Sequence, residues 1–299
     1  MSDRPHDDAG VGTAIPARLR RAVRLQQAGD LARAEALYRE VLAAEPDNPD
    51  ALHLMGVLCH QKGAGALGVG YIERALMLRP DSSLFHRNLA GILQALRRPD
   101  KAAEHYRRVI EIGPESAAGH ADLARALAEA DRANEALAHY RRALELGPDE
   151  PRTHADLADL LAQEGRLEEA ERHYRAAIEL EPAHAPALSG LGNVLRERGR
   201  LEEALAHCRR ALELAPEYAI GHSDLGRVLQ ELRRFDEALA AYRRAVALEP
   251  RLARSIMKKI TKASAGRLWL HPSALRRVLD QGSGIRDQGS GEGSLEPDS

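Results

Sequence analysis

Residues 63–68, Gly63-Ala64-Gly65-Ala66-Leu67-Gly68, spell G-x-G-x-x-G, the spacing with which a strand-to-helix turn presents backbone N–H groups to a dinucleotide pyrophosphate. That chemistry needs a strand before the glycines and an acidic residue about 20 positions after them. Here the stretch falls on a turn and the start of a helical segment, so no cofactor is expected. Thirteen histidines invite a metal or acid–base reading, above all in the near-identical runs His120 to Ala124 and His154 to Ala158. Side chains two apart on a helix diverge, so His120 and Asp122 cannot share an ion. Eight of the thirteen fall at two recurring slots, 86, 120, 154, 222 and 105, 139, 173, 207, which is the signature of packing. Cys59 and Cys208 have neither a disulfide framework nor metal-ligand spacing, which suits a reducing compartment. With no H-E-x-x-H, Walker A loop, G-x-S-x-G or C-x-x-C in the chain, no metal site, no cofactor and no enzymatic activity are expected.

The elements that position these residues follow from composition and period. Of 299 residues, 44% are hydrophobic and only 3% aromatic, so close Ala/Leu helix packing must replace a core of large rings. Lys plus Arg number 43 against 45 Asp plus Glu, a formal charge of −2, which argues against binding to nucleic acid or to an anionic membrane by net electrostatics. No stretch approaches the ~18 apolar residues of a membrane span, and residues 1–10 lack an apolar signal segment. A cytoplasmic location is the expectation.

Prolines recur at 46, 80, 114, 148, 182, 216 and 250, each 34 residues after the last. Numbering each repeat so that this proline is position 32 gives seven repeats, 15–48, 49–82, 83–116, 117–150, 151–184, 185–218 and 219–252. Position 20 is Ala34, Gly68, Ala102, Ala136, Ala170, Ala204 and Ala238, a small residue where two helices must approach closely. Position 24 is Tyr38, Ile72, Tyr106, Tyr140, Tyr174, Cys208 and Tyr242, so five of the seven tyrosines serve one packing slot. Position 8 is always Gly or Ala.

This pattern resembles the tetratricopeptide repeat, a 34-residue helix-turn-helix with W-x2-L-G-x2-Y, A-x3-F and P at fixed offsets. Two departures are visible. The aromatic of position 4 is replaced by His86, His120, His154 and His222 or by Leu52 and Leu188, and position 11 is Leu or Cys59 instead of Tyr. The resemblance covers residues 15–252 and implies an all-α fold, a right-handed superhelical solenoid of seven repeats with a C-terminal capping helix. Residues 1–14 are expected as a disordered N-terminus, 253–281 as the capping helix plus a short extension holding Trp269, and 282–299 as a disordered Gly/Ser tail.

Within each repeat, apolar residues at positions 4, 7, 8 and 11 make one face of helix A, a turn follows at 15–17, and helix B runs to the proline. Gly29, Gly165 and Gly199 supply the expected glycine beyond helix A. In repeat 2, Gly68 and Gly70 each cost helix B up to about 1 kcal/mol relative to Ala, which marks that repeat as a soft spot. Ile256 and Ile260 are expected to turn inward from the capping helix and cover the last exposed stripe.

A stacked array of this kind binds partners along a concave face. The architecture of the family implies that positions 2, 5, 6, 9, 12 and 13 of helix A look into it. Position 6 reads Asn88, Asp122, Asp156, Gly190 and Asp224 through repeats 3 to 7, similar to the Asn ladder of protein O-linked N-acetylglucosamine transferases, whose amides hold an extended peptide. Only Asn88 keeps the amide. The aspartates offer acceptors without donors, which favours a segment presenting N–H, Lys or Arg. The competing reading is solvated charge, because Asp122 can pair with Arg125, Asp224 with Arg227, and Arg152 with Asp156. Asp159 has no evident partner, and Asn193 holds the same position 9 one repeat on. The candidate peptide groove is therefore Asn88, Asp122, Arg125, Asp156, Asp159, Asn193, Asp224 and Arg227.

The expected function is a non-enzymatic scaffold that binds an extended or helical segment of a protein. An alternative arises from Ala51 to Val57 and Ala187 to Leu201, which resemble repeats linked to bacterial glycosyltransferases and sulfotransferases. On that reading the chain is a recognition arm acting in trans with a transferase catalytic subunit, since the 47 residues 253–299 are too few for such a domain. Residues 251–280 hold eight Lys or Arg against Asp280 alone, but they lack interleaved aromatics, and no nucleic acid or membrane partner is expected. The sequence leaves partner identity and oligomeric state open.

Overall fold

The computed structural model describes residues 8–147 and 150–261, with side chains described from 15 to 258. Every regular element among them is a helix. The chain divides into two compact bodies, 1–149 and 150–299. The first holds α1 Asp8–Gln27, α2 Leu31–Ala44, α3 Pro49–Gln61, α4 Gly65–Leu78, α5 Ser83–Ala95, α6 Pro99–Ile112, α7 Ala117–Glu129 and α8 Ala133–Leu146. The second holds α9 Pro151–Gln163, α10 Leu167–Leu180, α11 Ala185–Glu197, α12 Leu201–Leu214, α13 Ala219–Glu231, α14 Phe235–Leu248 and α15 Leu252–Thr261. Odd-numbered helices up to α13 are helix A of a repeat and even-numbered ones helix B. Each pair packs together, and within each body helix B also packs on the following helix A.

Local chemistry sets these boundaries. Asn48, Ser82 and Ser116 accept the backbone N–H three residues on, from Ala51, Phe85 and Gly119, and so cap α3, α5 and α7. Pro49, Pro99 and Pro151 occupy first-turn positions where the missing N–H costs nothing. Helix B stops two residues before each repeat proline, at Ala44, Leu78, Ile112, Leu146, Leu180, Leu214 and Leu248. The A–B turn puts position 15 in the left-handed region in all seven repeats. Gly29, Gly63, Gly165 and Gly199 have φ of 75 to 83°, whereas Arg97, Asp131 and Arg233 adopt φ of 58 to 61° with a Cβ in place.

The core is built as the period demands. All six position-20 alanines are fully buried, and five tyrosines of position 24 are buried against them. Tyr38, Tyr106 and Tyr242 each donate from the hydroxyl to a glutamine at position 12 of helix A, Gln26, Gln94 and Gln230, at 2.7, 2.9 and 3.0 Å. A buried phenol thus gains its partner at the edge of the packed slot. In the second body, Glu171 of α10 is buried beneath Arg175, Arg198 and Arg200. Its burial raises the carboxyl pKa, and the hydrogen bond from Arg200 and the three guanidinium charges outweigh that and hold it below the usual range.

Two expectations change. Residues 8–14, read as disordered, form the first turns of α1, which contains Pro16. Gly68 is not simply a weak helix residue: a Cβ there would lie 2.5 Å from the carbonyl oxygen of Gly56, so α3 and α4 touch backbone to backbone. Only Gly70, with nothing within 4 Å of such a Cβ, is the propensity cost expected of both. The region 63–68 is a turn at Gly63 followed by α4, with no strand before it among the described residues. Of the expected capping helix, α15 buries Ile256 completely. The side chain of Ile260, and residues 262–281 and 282–299 with Trp269, lie outside the described residues.

Candidate functional site

The predicted groove residues all lie on helices A, divided between the two bodies. In the first, Asn88 stands on α5 and places Nδ2 2.7 Å from Nε2 of His53 on α3. An amide nitrogen only donates, so that ring nitrogen accepts and its proton is on Nδ1. His53 stacks on Phe85 at 4.4 Å between ring centres, and its burial pushes the imidazole pKa down to about 4. One donor of Asn88 is therefore spent within the protein. Asp122 on α7 lies between two guanidiniums, Arg125 at 3.1 Å and Arg87 at 3.2 Å. The i, i+3 pairing is formed, and a second arginine from the preceding repeat joins it.

In the second body, Arg152 reaches Asp156 at 3.8 Å along α9. Asp224 on α13 is buried and fully served, accepting from Arg227 at 2.9 Å and from the Ser189 hydroxyl at 2.8 Å. Arg227 also donates to Asn193 Oδ1 on α11. Asp159, expected without a partner, accepts a hydrogen bond from the hydroxyl of Tyr174 on α10, which lies 15 residues on and on the other helix of the repeat. Desolvation pushes the Asp159 carboxyl pKa up, partly offset by that hydrogen bond, and the neighbouring Asp156 and Asp224 push the same way. Tyr174 is held far above the ordinary phenol range, by burial first and by the Asp159 charge second.

Four of the eight predicted residues, Asp159, Asn193, Asp224 and Arg227, line one open pocket of about 600 Å³. Tyr174, Gly190 and Tyr218 complete much of its wall. This is the size range of pockets that hold small ligands or short peptide stretches. Asn88, Asp122, Arg125 and Asp156 do not line it: in the first body Asn88 bonds His53 and Asp122 pairs with Arg125 and Arg87, and in the second Asp156 pairs with Arg152.

The histidine slots hold a feature that the sequence reading left out. Positions 4 and 23 face each other inside a repeat, so His86 and His105, His120 and His139, and His154 and His173 pair Nδ1 to Nδ1 at 3.0, 2.9 and 2.9 Å. His86 Nε2 lies 2.9 Å from the carbonyl oxygen of Pro80. A carbonyl only accepts, so His86 carries its proton on Nε2 and its Nδ1 accepts from Nδ1–H of His105. Burial lowers the pKa of His105 and His139, and the facing imidazole lowers it further. The coincidence of both slots in repeats 3 to 5 was the available signal. Among the described residues, no group of three or more His, Cys, Asp or Glu is placed to hold a metal ion, and no helix is long and apolar enough to cross a membrane. Cys59 and Cys208 are buried free thiols, and burial pushes Cys208 up to about 12.

Tetratricopeptide repeat profiles match residues 25–92, 87–151, 127–192, 161–206 and 184–249. No curated protein matches the chain in sequence. Among solved structures, a tetratricopeptide repeat protein from Parabacteroides merdae is similar at 17% identity, over 83% of this chain and 98% of that one, with a TM-score of 0.70. Pseudomonas aeruginosa pilF is similar at 18% identity over 75% of this chain and 99% of its own, with a TM-score of 0.62. Cut9–Hcn1, an APC/C hetero-tetramer, is similar at 17% identity over 84% of this chain and 52% of that one, with a TM-score of 0.60. At these identities the likeness is one of fold.

Proposed function

The chain belongs to the tetratricopeptide repeat family, and we propose that it is a non-catalytic scaffold holding an extended or helical segment of a partner protein against its helix-A faces. The observation that carries this reading is the open pocket of about 600 Å³ on α9, α11 and α13, lined by Asp159, Asn193, Asp224 and Arg227. In the first body Asn88, Asp122 and Arg125 supply a second set of contacts. Ion pairs within the protein hold several of these side chains in fixed geometry, so a partner meets a surface whose ordering entropy is already spent. Partly exposed carboxylates and amides can then hydrogen-bond the peptide units of an extended segment without one dominant sequence requirement.

The test is affinity capture from host lysate with the intact chain and with a variant carrying Asn88→Ala, Asp122→Ala, Asp156→Ala and Asp159→Asn, after both show equal helicity and melting. Partners retained by the first and lost by the second support the groove. Equal retention assigns these side chains to solvated charge. A narrower form of the reading makes the partner a transferase catalytic subunit, supported by the resemblance of Ala51 to Val57 and Ala187 to Leu201 to transferase-linked repeats. Co-purification of such a subunit supports it, and capture of unrelated proteins alone removes it.

A further inference from the structure

The pocket on α9, α11 and α13 exists because the repeat is broken there in two places at once. Where position 12 is glutamine, the position-24 tyrosine donates to it, as Tyr38, Tyr106 and Tyr242 do. Repeat 5 has Ala162 at position 12, and Tyr174 turns instead to Asp159 at position 9. The next repeat then clears the space that the ring needs. Gly190 replaces the Asn or Asp of position 6, and a Cβ at Gly190 would stand 2.5 Å from Cε1 and 2.6 Å from the hydroxyl oxygen of Tyr174. Two side chains that would fill the groove, a glutamine and an aspartate, are thus missing at adjacent sites, and a cavity takes their place.

Its charges are not balanced. Arg227 is committed to Asp224 and Asn193, and Asp224 also takes the Ser189 hydroxyl. Glu197, on the rim, pairs with Arg196. Asp159 is open to the cavity and accepts its hydrogen bond from a neutral phenol, Tyr174. Asp156 and Asp224 repel its negative charge, and His184 offsets part of that repulsion. An exposed carboxylate that faces a cavity and is bonded to a phenol, not to a cation, is well matched by a ligand that brings positive charge and N–H donors.

We propose that this cavity is the anchor site for one lysine or arginine side chain of the bound segment, with Asp159 as its counter-ion and Tyr174 fixing the carboxylate from behind. The proposal rests on the groove reading and adds to it the identity of the anchoring residue. Arg227 is already held by Asp224 and Asn193, so it does not compete for Asp159. The neighbouring Pro186, Val194 and Ile220 supply apolar surface for the methylene stem of the ligand side chain.

The experiment selects binders from a phage-displayed library of random nonapeptides on the intact protein and measures synthetic copies of the enriched peptides by fluorescence polarisation. The expected result is enrichment of Lys or Arg at one fixed position. Replacing that residue by Gln in the peptide, or Asp159→Asn in the protein, then weakens binding by about tenfold or more, and the two changes together cost little more than either alone. Gly190→Asp, which restores the aspartate that position 6 carries in repeats 4, 5 and 7, displaces Tyr174 and abolishes the preference for the basic residue. Enriched peptides that lack a fixed basic position, or whose binding ignores Asp159→Asn, overturn the anchor while leaving the groove standing. A library that yields no binder overturns both.

Discussion

Gly68 and Gly70 lie two residues apart on α4, and replacing each by alanine has opposite effects. At Gly70 the added methyl meets nothing within 4 Å, so Gly70→Ala exchanges a poor helix former for the best one and raises stability by about 1 kcal/mol. At Gly68 the same gain in propensity competes with a methyl placed 2.5 Å from the Gly56 carbonyl oxygen, where an ordinary contact is about 0.8 Å longer. The obstacle is backbone on both sides, since a Cβ at Gly56 would in turn lie 2.7 Å from the Gly68 carbonyl oxygen. No rotamer change relieves it, so α3 and α4 must move apart. Overpacking of this kind costs about 1–3 kcal/mol. After the propensity gain is subtracted, Gly68→Ala destabilises by about 1–2 kcal/mol, and the two variants differ by about 2–3 kcal/mol. Urea unfolding followed by far-ultraviolet circular dichroism measures both against the intact protein. Equal stabilisation by the two substitutions would refute the backbone contact and return repeat 2 to a helix weakened by glycine alone.

Three further outcomes follow from the same geometry. Arg97→Gly and Arg233→Gly relieve left-handed backbone at the A–B turns and each raise stability by about 0.5–1 kcal/mol in urea unfolding, while Gly165→Ala lowers it by about 1 kcal/mol. The imidazoles of His53, His105, His139 and His207 have folded pKa values below the unfolded value of about 6.5, so the unfolded chain binds more protons below that pH. Their contribution is fully present above pH ~6.5 and is lost as pH falls toward about 4, the folded value of His53; the urea midpoint should drop through that window, and an unchanged midpoint would refute the assignment. Glu171→Gln removes a buried carboxylate from three arginines and lowers stability by about 1–3 kcal/mol at neutral pH; a loss below 0.5 kcal/mol, roughly the scatter of surface substitutions, would show the cluster to be solvated.

Much of this was legible because a repeat states its constraints seven times. The 34-residue proline spacing located each helix B end, position 20 located the A–B contact, and the i, i+3 pairs Asp122–Arg125 and Asp224–Arg227 formed on the helices where they were read. What escaped notice depends on pairs of positions that are far apart in sequence or that break the repeat. His86 and His105 are 19 residues apart on two helices, so neither helical face alone shows that they meet. The direction of Tyr174 follows from Ala162 and Gly190 together, one residue in its own repeat and one in the next, and each looks like an ordinary small residue by itself. Gly68 read as weakness because a glycine's cost is local, whereas its reason, the Gly56 backbone, lies on the other helix. Residues 8–14 precede the first repeat, so the period says nothing of them, yet α1 runs through them.

The central claim, that a partner segment lies on the helix-A face of the second body, is tested most directly by site-specific photo-crosslinking in the host. A benzophenone amino acid is placed at Ile220, on the pocket rim, or at Leu180, an exposed residue at the end of α10, and crosslinked segments are identified by mass spectrometry. The account predicts that Ile220 captures a defined segment of a partner protein and that this capture is lost with Gly190→Asp, while Leu180 captures none. A partner crosslinked from Leu180 and not from Ile220 would contradict it.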